Sequence, residues 1–120
     1  MPTVRKARHR SGRAGLRAFD AEFQGECLLY AEGEFDADTT SSLVEVLEEV
    51  RQERVRRIVV DCSAVTFADV AFLRALLDVS SGDTQVVLAA PSLALRRLLR
   101  ATETVGRLPT VSDADSAVTT

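Results

Sequence analysis

The sequence predicts an α/β domain: a mixed β-sheet with helices packed on it, in the order β-β-α-β-α-β-α, then a short strand and a terminal helix. Three observations carry this. Two strand-like segments come before any helical one. Helical and strand periodicities then alternate, the pattern of a chain that builds parallel strands through helical crossovers. Finally, Ile58-Val59-Val60 is an unbroken β-branched run, suited to a strand covered on both faces.

Leu16 to Phe23 alternates loosely between apolar and charged residues and reads as an exposed strand of uncertain register. Gly25 supplies a turn, and Cys27-Leu28-Leu29-Tyr30-Ala31 forms a more buried strand that ends at Gly33-Glu34-Phe35-Asp36. Asp38, Thr39 and Thr40 are all candidate helix caps. Leu43, Val46, Leu47 and Val50 then recur at spacings of three and four, one apolar stripe on an amphipathic helix. Glu45, Glu48 and Glu49 form its solvated face. After Ile58-Val59-Val60 and a short loop, Asp69 caps a second helix running to about Ser80, with Leu73, Leu76 and Leu77 inside. Ser81-Gly82-Asp83 turns the chain into the strand Gln85–Ala89. Pro91 and Ser92 start a third helix with Leu95, Leu98 and Leu99 inside. Its Arg96, Arg97 and Arg100 lie toward the C-terminal end, where the helix dipole favours positive charge. Leu108 to Val111 suits a short edge strand, and 113–120 a frayed helix.

A length of 120 residues fits one domain, read as 14–120, preceded by a flexible basic arm over 1–13. The arm holds five of the 15 basic residues and no acid; the remainder carries ten basic and 18 acidic residues, a net of −8. Such an acidic body does not suit nucleic-acid binding by the folded domain. The arm is either a solvated tail or a weak, salt-screened contact for an acidic partner, anionic lipid or nucleic acid. No apolar run approaches the roughly 18 to 20 residues that span a bilayer, and no secretory signal pattern is present. The expected location is the cytoplasm, with Cys27 and Cys62 as reduced, buried thiols. A redox switch between them requires Cα atoms within about 7 Å.

Candidate chemistry is sparse. The one histidine, His9, falls in the expected arm, so a Ser-His-Asp or Cys-His unit inside the fold is not expected. The two cysteines alone do not make a zinc site, and no metal or cofactor is expected. There is no GxxxxGK[ST] loop and no GxGxxG sequence, which argues against nucleotide binding or hydrolysis through those cradles. Asp36, Asp61 and Asp69 sit near element ends, where carboxylates more often cap than catalyse. The expectation is a protein without enzymatic activity.

Three segments resemble a known family. Gly33-Glu34-Phe35-Asp36 matches the Gly-Glu-hydrophobic-Asp motif that closes the second strand of STAS domains. Ile58 through Asp69 resembles their third strand and following loop without a gap, and Pro91-Ser92 with the Leu95/Leu98/Leu99 helix resembles the next strand-to-helix region. The chain thus resembles the anti-sigma factor antagonists, over roughly residues 15 to 112. The resemblance implies the STAS fold and a regulatory module that binds a protein partner, an anti-sigma factor of serine-kinase type. In that family the helix after the third strand starts Asp-Ser-Ser/Thr-Gly-Leu, and its first serine accepts phosphate from the partner kinase. Phosphate adds about −1.5 to −2 charges on the surface that meets the partner.

Here the motif reads Asp69-Val70-Ala71-Phe72-Leu73. Val70 stands at the phosphoacceptor position and cannot be phosphorylated; Ala71 replaces the second hydroxyl and Phe72 the glycine. The resemblance places the partner-binding face on Asp36, Asp69, Val70, Ala71, Phe72 and Leu73, with Phe72 either an interface anchor or a core residue. Thr66 keeps a hydroxyl just before the helix and reads as structural. The family's small turn after the third helix is altered here to Ala101-Thr102-Glu103-Thr104-Val105-Gly106, with its glycine displaced. The alternative is a STAS scaffold subunit that self-associates, as in a homodimer, or docks to a larger complex such as a stress-signalling assembly or a transporter ATPase.

Overall fold

A computed structural model describes residues 4–20, 25–80, 82–103 and 107–112, with residues 4–11 and 20 as backbone. The elements are β1 (Val4–Ser11), β2 (Ala14–Asp20), β3 (Glu26–Phe35), α1 (Thr40–Gln52), β4 (Arg57–Ala68), α2 (Val70–Ser80), β5 (Gln85–Ala89), α3 (Leu93–Ala101) and β6 (Thr110–Val111). The α/β class and the alternation after the first strands are as the sequence predicts. The terminal helix expected over 113–120 lies outside the described residues.

The strands form one mixed sheet in the order β1-β2-β3-β4-β5-β6. The β1–β2 and β2–β3 pairs are antiparallel. The β3–β4, β4–β5 and β5–β6 pairs are parallel. Each crossover steps one strand in the same direction, and right-handed connections then place successive helices over the same face. The buried side chains of α1, α2 and α3 accordingly share one core with Leu29, Ile58, Val60 and Leu88 of the sheet. Leu28, Val59, Val87 and Ala89 form a second, smaller cluster. These residues alternate along the strands with the first set, so they lie on the other face.

The expected arm is corrected by this architecture, because residues 4–11 form β1. Gly12, at φ 56, opens a two-residue turn that folds the basic segment back onto β2, with Ser11 opposite Ala14. Backbone pairing needs no apolar periodicity. The charges also suit an edge strand, where they discourage pairing with a further chain.

Gly33 ties this hairpin to the rest of the sheet. It sits at φ 89, and a Cβ there would overlap the carbonyl oxygen of Arg13. That close approach lets the Glu34 N–H donate to the Arg13 carbonyl at 3.0 Å. The glycine of the Gly-Glu-Phe-Asp segment therefore has a steric cause.

The apolar stripe of α1 is buried at all four expected positions, Leu43, Val46, Leu47 and Val50. In α2 the stripe is broader than expected: Phe72, Leu73, Ala75, Leu76 and Val79 are buried, while Leu77 is only partly so. Ser92 caps α3, its hydroxyl accepting from the Leu95 N–H at 3.2 Å. Cys27 lies opposite Ile58 on the neighbouring parallel strand, four residues before Cys62. At about 3.3 Å per residue that offset is some 13 Å. Neither thiol is in a disulfide, and a redox bridge between them is excluded. Burial, with the Asp61 charge beside it, pushes the Cys62 thiol far above its ordinary range.

Candidate protein-binding face

The carboxyl ends of β3 and β4 carry the two loops that matter. The first, after Phe35, is closed by Asp36. Its Oδ1 accepts from the N–H groups of Asp38 at 2.9 Å and Thr39 at 3.0 Å. Thr39 completes the knot, its hydroxyl accepting from the Asp36 N–H and donating to the Glu34 carbonyl, both at 2.9 Å. The bond from Thr39 N–H leads the interactions that hold the Asp36 carboxyl below the usual carboxylate range. Asp36 is thus half-buried, with one oxygen committed to its own loop. The expected caps Asp38, Thr39 and Thr40 do not act by side-chain bonding to α1; Thr39 occupies the N-cap position without such a bond.

The second loop is short because β4 runs on to Ala68, through what the sequence suggests is a loop. The Asp69 N–H donates to the Phe35 carbonyl at 3.1 Å, stitching this end of β4 to the end of β3. The Asp69 carboxylate then accepts from the Ala71 N–H at 2.9 Å, the cap the sequence predicts. Val70 opens α2 and is 48% exposed. Ala71 is half-buried.

Phe72, for which the sequence leaves core and interface open, and Leu73, expected on this face, both lie in the core. Phe72 is 0% exposed and packs on Phe35, ring centroids 5.0 Å apart and tilted by 50°. Leu73 is buried too. The cause is helical phase: Val70 and Arg74 face outward, so Phe72 and Leu73 turn toward the sheet. Phe72 and Leu73 can shape the face only from beneath.

The structure adds Phe67, which sequence reasoning passed over as a loop residue. It is 48% exposed, three positions before Val70. Its neighbours Ala68 and, across the ladder, Phe35 are buried, so Phe67 points away from the helices. A strand reading carried through to Ala68 would have placed it outward. Leu93, which opens α3 after the end of β5, is 53% exposed at the same end of the sheet. Beside Val70, a concavity of about 310 Å³ is bordered by Arg74, Asp78, Thr102 and Arg107. Thr66 is exposed, whereas Ser63 donates its hydroxyl to Asp61 at 2.7 Å.

Among the described residues no group of three His, Cys, Asp or Glu side chains is arranged to hold a metal ion. Nor is any helix there long and apolar enough to cross a membrane. The face consists of capped helix starts and exposed apolar side chains.

A mixed sheet with all described helices sharing one core, and two loops stitched at its carboxyl end, defines a small α/β domain class. The chain belongs to the STAS domain family: a family model described as "Mlab, STAS domain" matches residues 19–108. Its structure is similar to that of an anti-sigma factor antagonist from Mycobacterium paratuberculosis, at a TM-score of 0.74 and 23% identity, covering 87% of this chain and 92% of that one. It is also similar to the anti-sigma factor antagonist SpoIIAA in its unphosphorylated form, at a TM-score of 0.66 and 12% identity, covering 82% and 90%. No curated protein sequence matches significantly.

Proposed function

We propose that this chain is a non-enzymatic regulatory module of the anti-sigma factor antagonist kind, acting in the cytoplasm. It docks a protein partner, an anti-sigma factor or serine-kinase-like protein, through the carboxyl end of β3 and β4. Docking does not depend on phosphate at position 70. The observation that carries the reading is Val70 itself. It is exposed on the first turn of a helix capped by Asp69, where the family motif puts a hydroxyl. A methyl-bearing surface there, with Phe67 nearby in the chain, suits an apolar contact that excludes water.

The experiment is co-purification from the native host, then binding of the isolated partner by calorimetry. Val70→Asp places a negative charge where phosphate would stand, at a helix start that tolerates it. It is expected to weaken binding at least tenfold, about 1.4 kcal/mol, with an unchanged melting temperature. Phe67→Ser should behave alike. Equal affinity for both variants removes this face from the interface. Stoichiometric phosphate on residues 66–73 after incubation with the partner and ATP would sink the phosphate-independent claim.

The exposed apolar pair also favours a second reading, self-association of a scaffold subunit through this face. Light scattering separates the two, since a scaffold forms dimers that Phe67→Ser dissolves. Phe72 is no longer a suitable probe, because its ring lies in the core.

A further inference from the structure

The amino ends of β3, β4 and β5 lie at the opposite end of the sheet from the docking loops, and they hold a polar group that the fold leaves unsatisfied. Glu26, Arg57 and Gln85 stand opposite one another across the three strands. The next residues along, Cys27, Ile58 and Val86, belong to the core under the helices. The row Glu26, Arg57, Gln85 therefore lies on the other face, one step from Leu28, Val59 and Val87. Glu26 is 7% exposed, and its Oε1 has no hydrogen-bond partner among the described residues. Its Oε2 meets Arg57 Nη1 only at 3.7 Å, and the buried Arg57 Nε is unpartnered too. A charged group buried without its hydrogen bonds is costly, and native proteins keep few of them.

Both side chains border an open cavity of about 280 Å³, with Arg56 and Gln85 completing its rim. Backbone bonds fix this rim. The Gly25 carbonyl accepts from the Arg56 N–H at 2.8 Å and the Arg57 N–H at 3.1 Å, and the Gln85 N–H donates to the Arg56 carbonyl at 2.8 Å. Gly25 holds φ 81 and leaves room for the Arg56 side chain, since a Cβ there would stand 3.1 Å from Arg56 Nε. The exposed Arg56 is thereby laid against the residue that precedes Glu26, and it has no ion-pair partner among the described residues.

We infer that this cavity binds a free α-amino acid with an acidic side chain, its ammonium held by Glu26 and its α-carboxylate by Arg56. The lining offers an acceptor that lacks a donor and a cation that lacks an anion. An α-amino acid carries the complement of both on either side of one carbon, and charge-assisted bonds of this kind are the strong ones. A turn of the Glu26 carboxylate about its soft last torsion presents Oε1 to the ammonium. Two arginines and one glutamate leave the lining at a net +1, which the side-chain carboxylate of the ligand balances. The volume, just below the roughly 300–1,000 Å³ of drug-sized ligand sites, suits so small a compound.

The test is a titration of the ¹⁵N-labelled full chain with L-glutamate, L-lysine and N-acetyl-L-glutamate, against sodium chloride at matched ionic strength. Saturable amide shifts are expected with glutamate in residues 25–27, 56–58 and 85–87. N-acetylglutamate, which has no ammonium, and lysine, which has no second carboxylate, should each bind at least tenfold more weakly. Glu26→Gln should lose glutamate binding by at least tenfold. Because that change also breaks the buried pair with Arg57, the exposed Arg56→Gln is its companion, expected to weaken binding as much with an unchanged melting temperature. Glutamate shifts no larger than those in chloride, or equal binding by folded Arg56→Gln, overturn the assignment. So does binding of N-acetylglutamate or lysine as tight as that of glutamate, and so do shifts centred on Arg51 and Arg54, which lie outside the cavity.

Discussion

Asp36 closes a loop with one carboxylate oxygen, and that single bond set makes its ionisation part of the fold. The Thr39 and Asp38 N–H groups favour the charged form and lower its pKa in the folded state. In the unfolded chain an aspartate titrates near about 3.9. A group depressed on folding stabilises fully above that unfolded value, and the contribution is lost as pH falls through the folded one. Asp36→Asn keeps an oxygen acceptor but not the charge. The expected result is a stability deficit for Asp36→Asn at pH 7 that shrinks below about pH 4 and vanishes at lower pH. Urea midpoints at pH 7, 4 and 2.5 check it, and a deficit independent of pH refutes it. The same residue shows why the sequence placed a cap imperfectly. Asp38, Thr39 and Thr40 are all of capping type, but Thr39 serves the Glu34 carbonyl and the Asp36 N–H rather than the helix.

Among the elements, those with a clean period were legible and those held by backbone pairing were not. The α1 stripe and the Ser92 and Asp69 caps could be read because helical spacing and cap chemistry are local. β1 could not, since an edge strand rich in arginine has no apolar face to announce it. β4 was read too short for another reason. Its register against β3 shifts twice, between Tyr30 and Glu32 and between Gly33 and Glu34. Cys62, Val65 and Ala68 are therefore buried at spacings of three, which breaks the alternation expected of a strand. That break hid the end of β4 and with it the exposed Phe67. Gly33 lies at one of these shifts and touches the β1–β2 turn, so its substitution should loosen three strands together. Gly33→Ala demands both a left-handed alanine and displacement of Arg13. A loss of at least about 2 kcal/mol is expected, read as a lower denaturant midpoint with an unchanged slope. An unchanged midpoint would show that the hairpin yields freely.

At the scale of the molecule, the start of α2 is divided between surface and core. Val70 and Ala71 change the surface, while Phe72 changes the core by packing on Phe35 of the neighbouring motif. The sequence showed the lost hydroxyls but could not divide the segment between inside and outside, which depends on the phase of α2 against the sheet. That division determines how a phosphoacceptor at position 70 can be tested. Restoring the whole family motif by Val70→Ser, Ala71→Ser and Phe72→Gly removes a buried ring at about 3–5 kcal/mol and puts glycine into a helix at about 1 kcal/mol. A domain of this size is stable by only about 5–15 kcal/mol. The triple variant should melt about 15–25 °C lower, whereas Val70→Ser/Ala71→Ser should stay within about 1 kcal/mol of the parent because position 70 is exposed and position 71 half-buried. Calorimetric melting of both checks this, and a triple variant that melts like the parent would show that Phe72 supports nothing. Only the double variant separates regaining a phosphoacceptor from losing the fold. A kinase that modifies ordinary family members but leaves the folded double variant untouched would place the remaining specificity in Phe67 and the surface around it, beyond the hydroxyl at position 70.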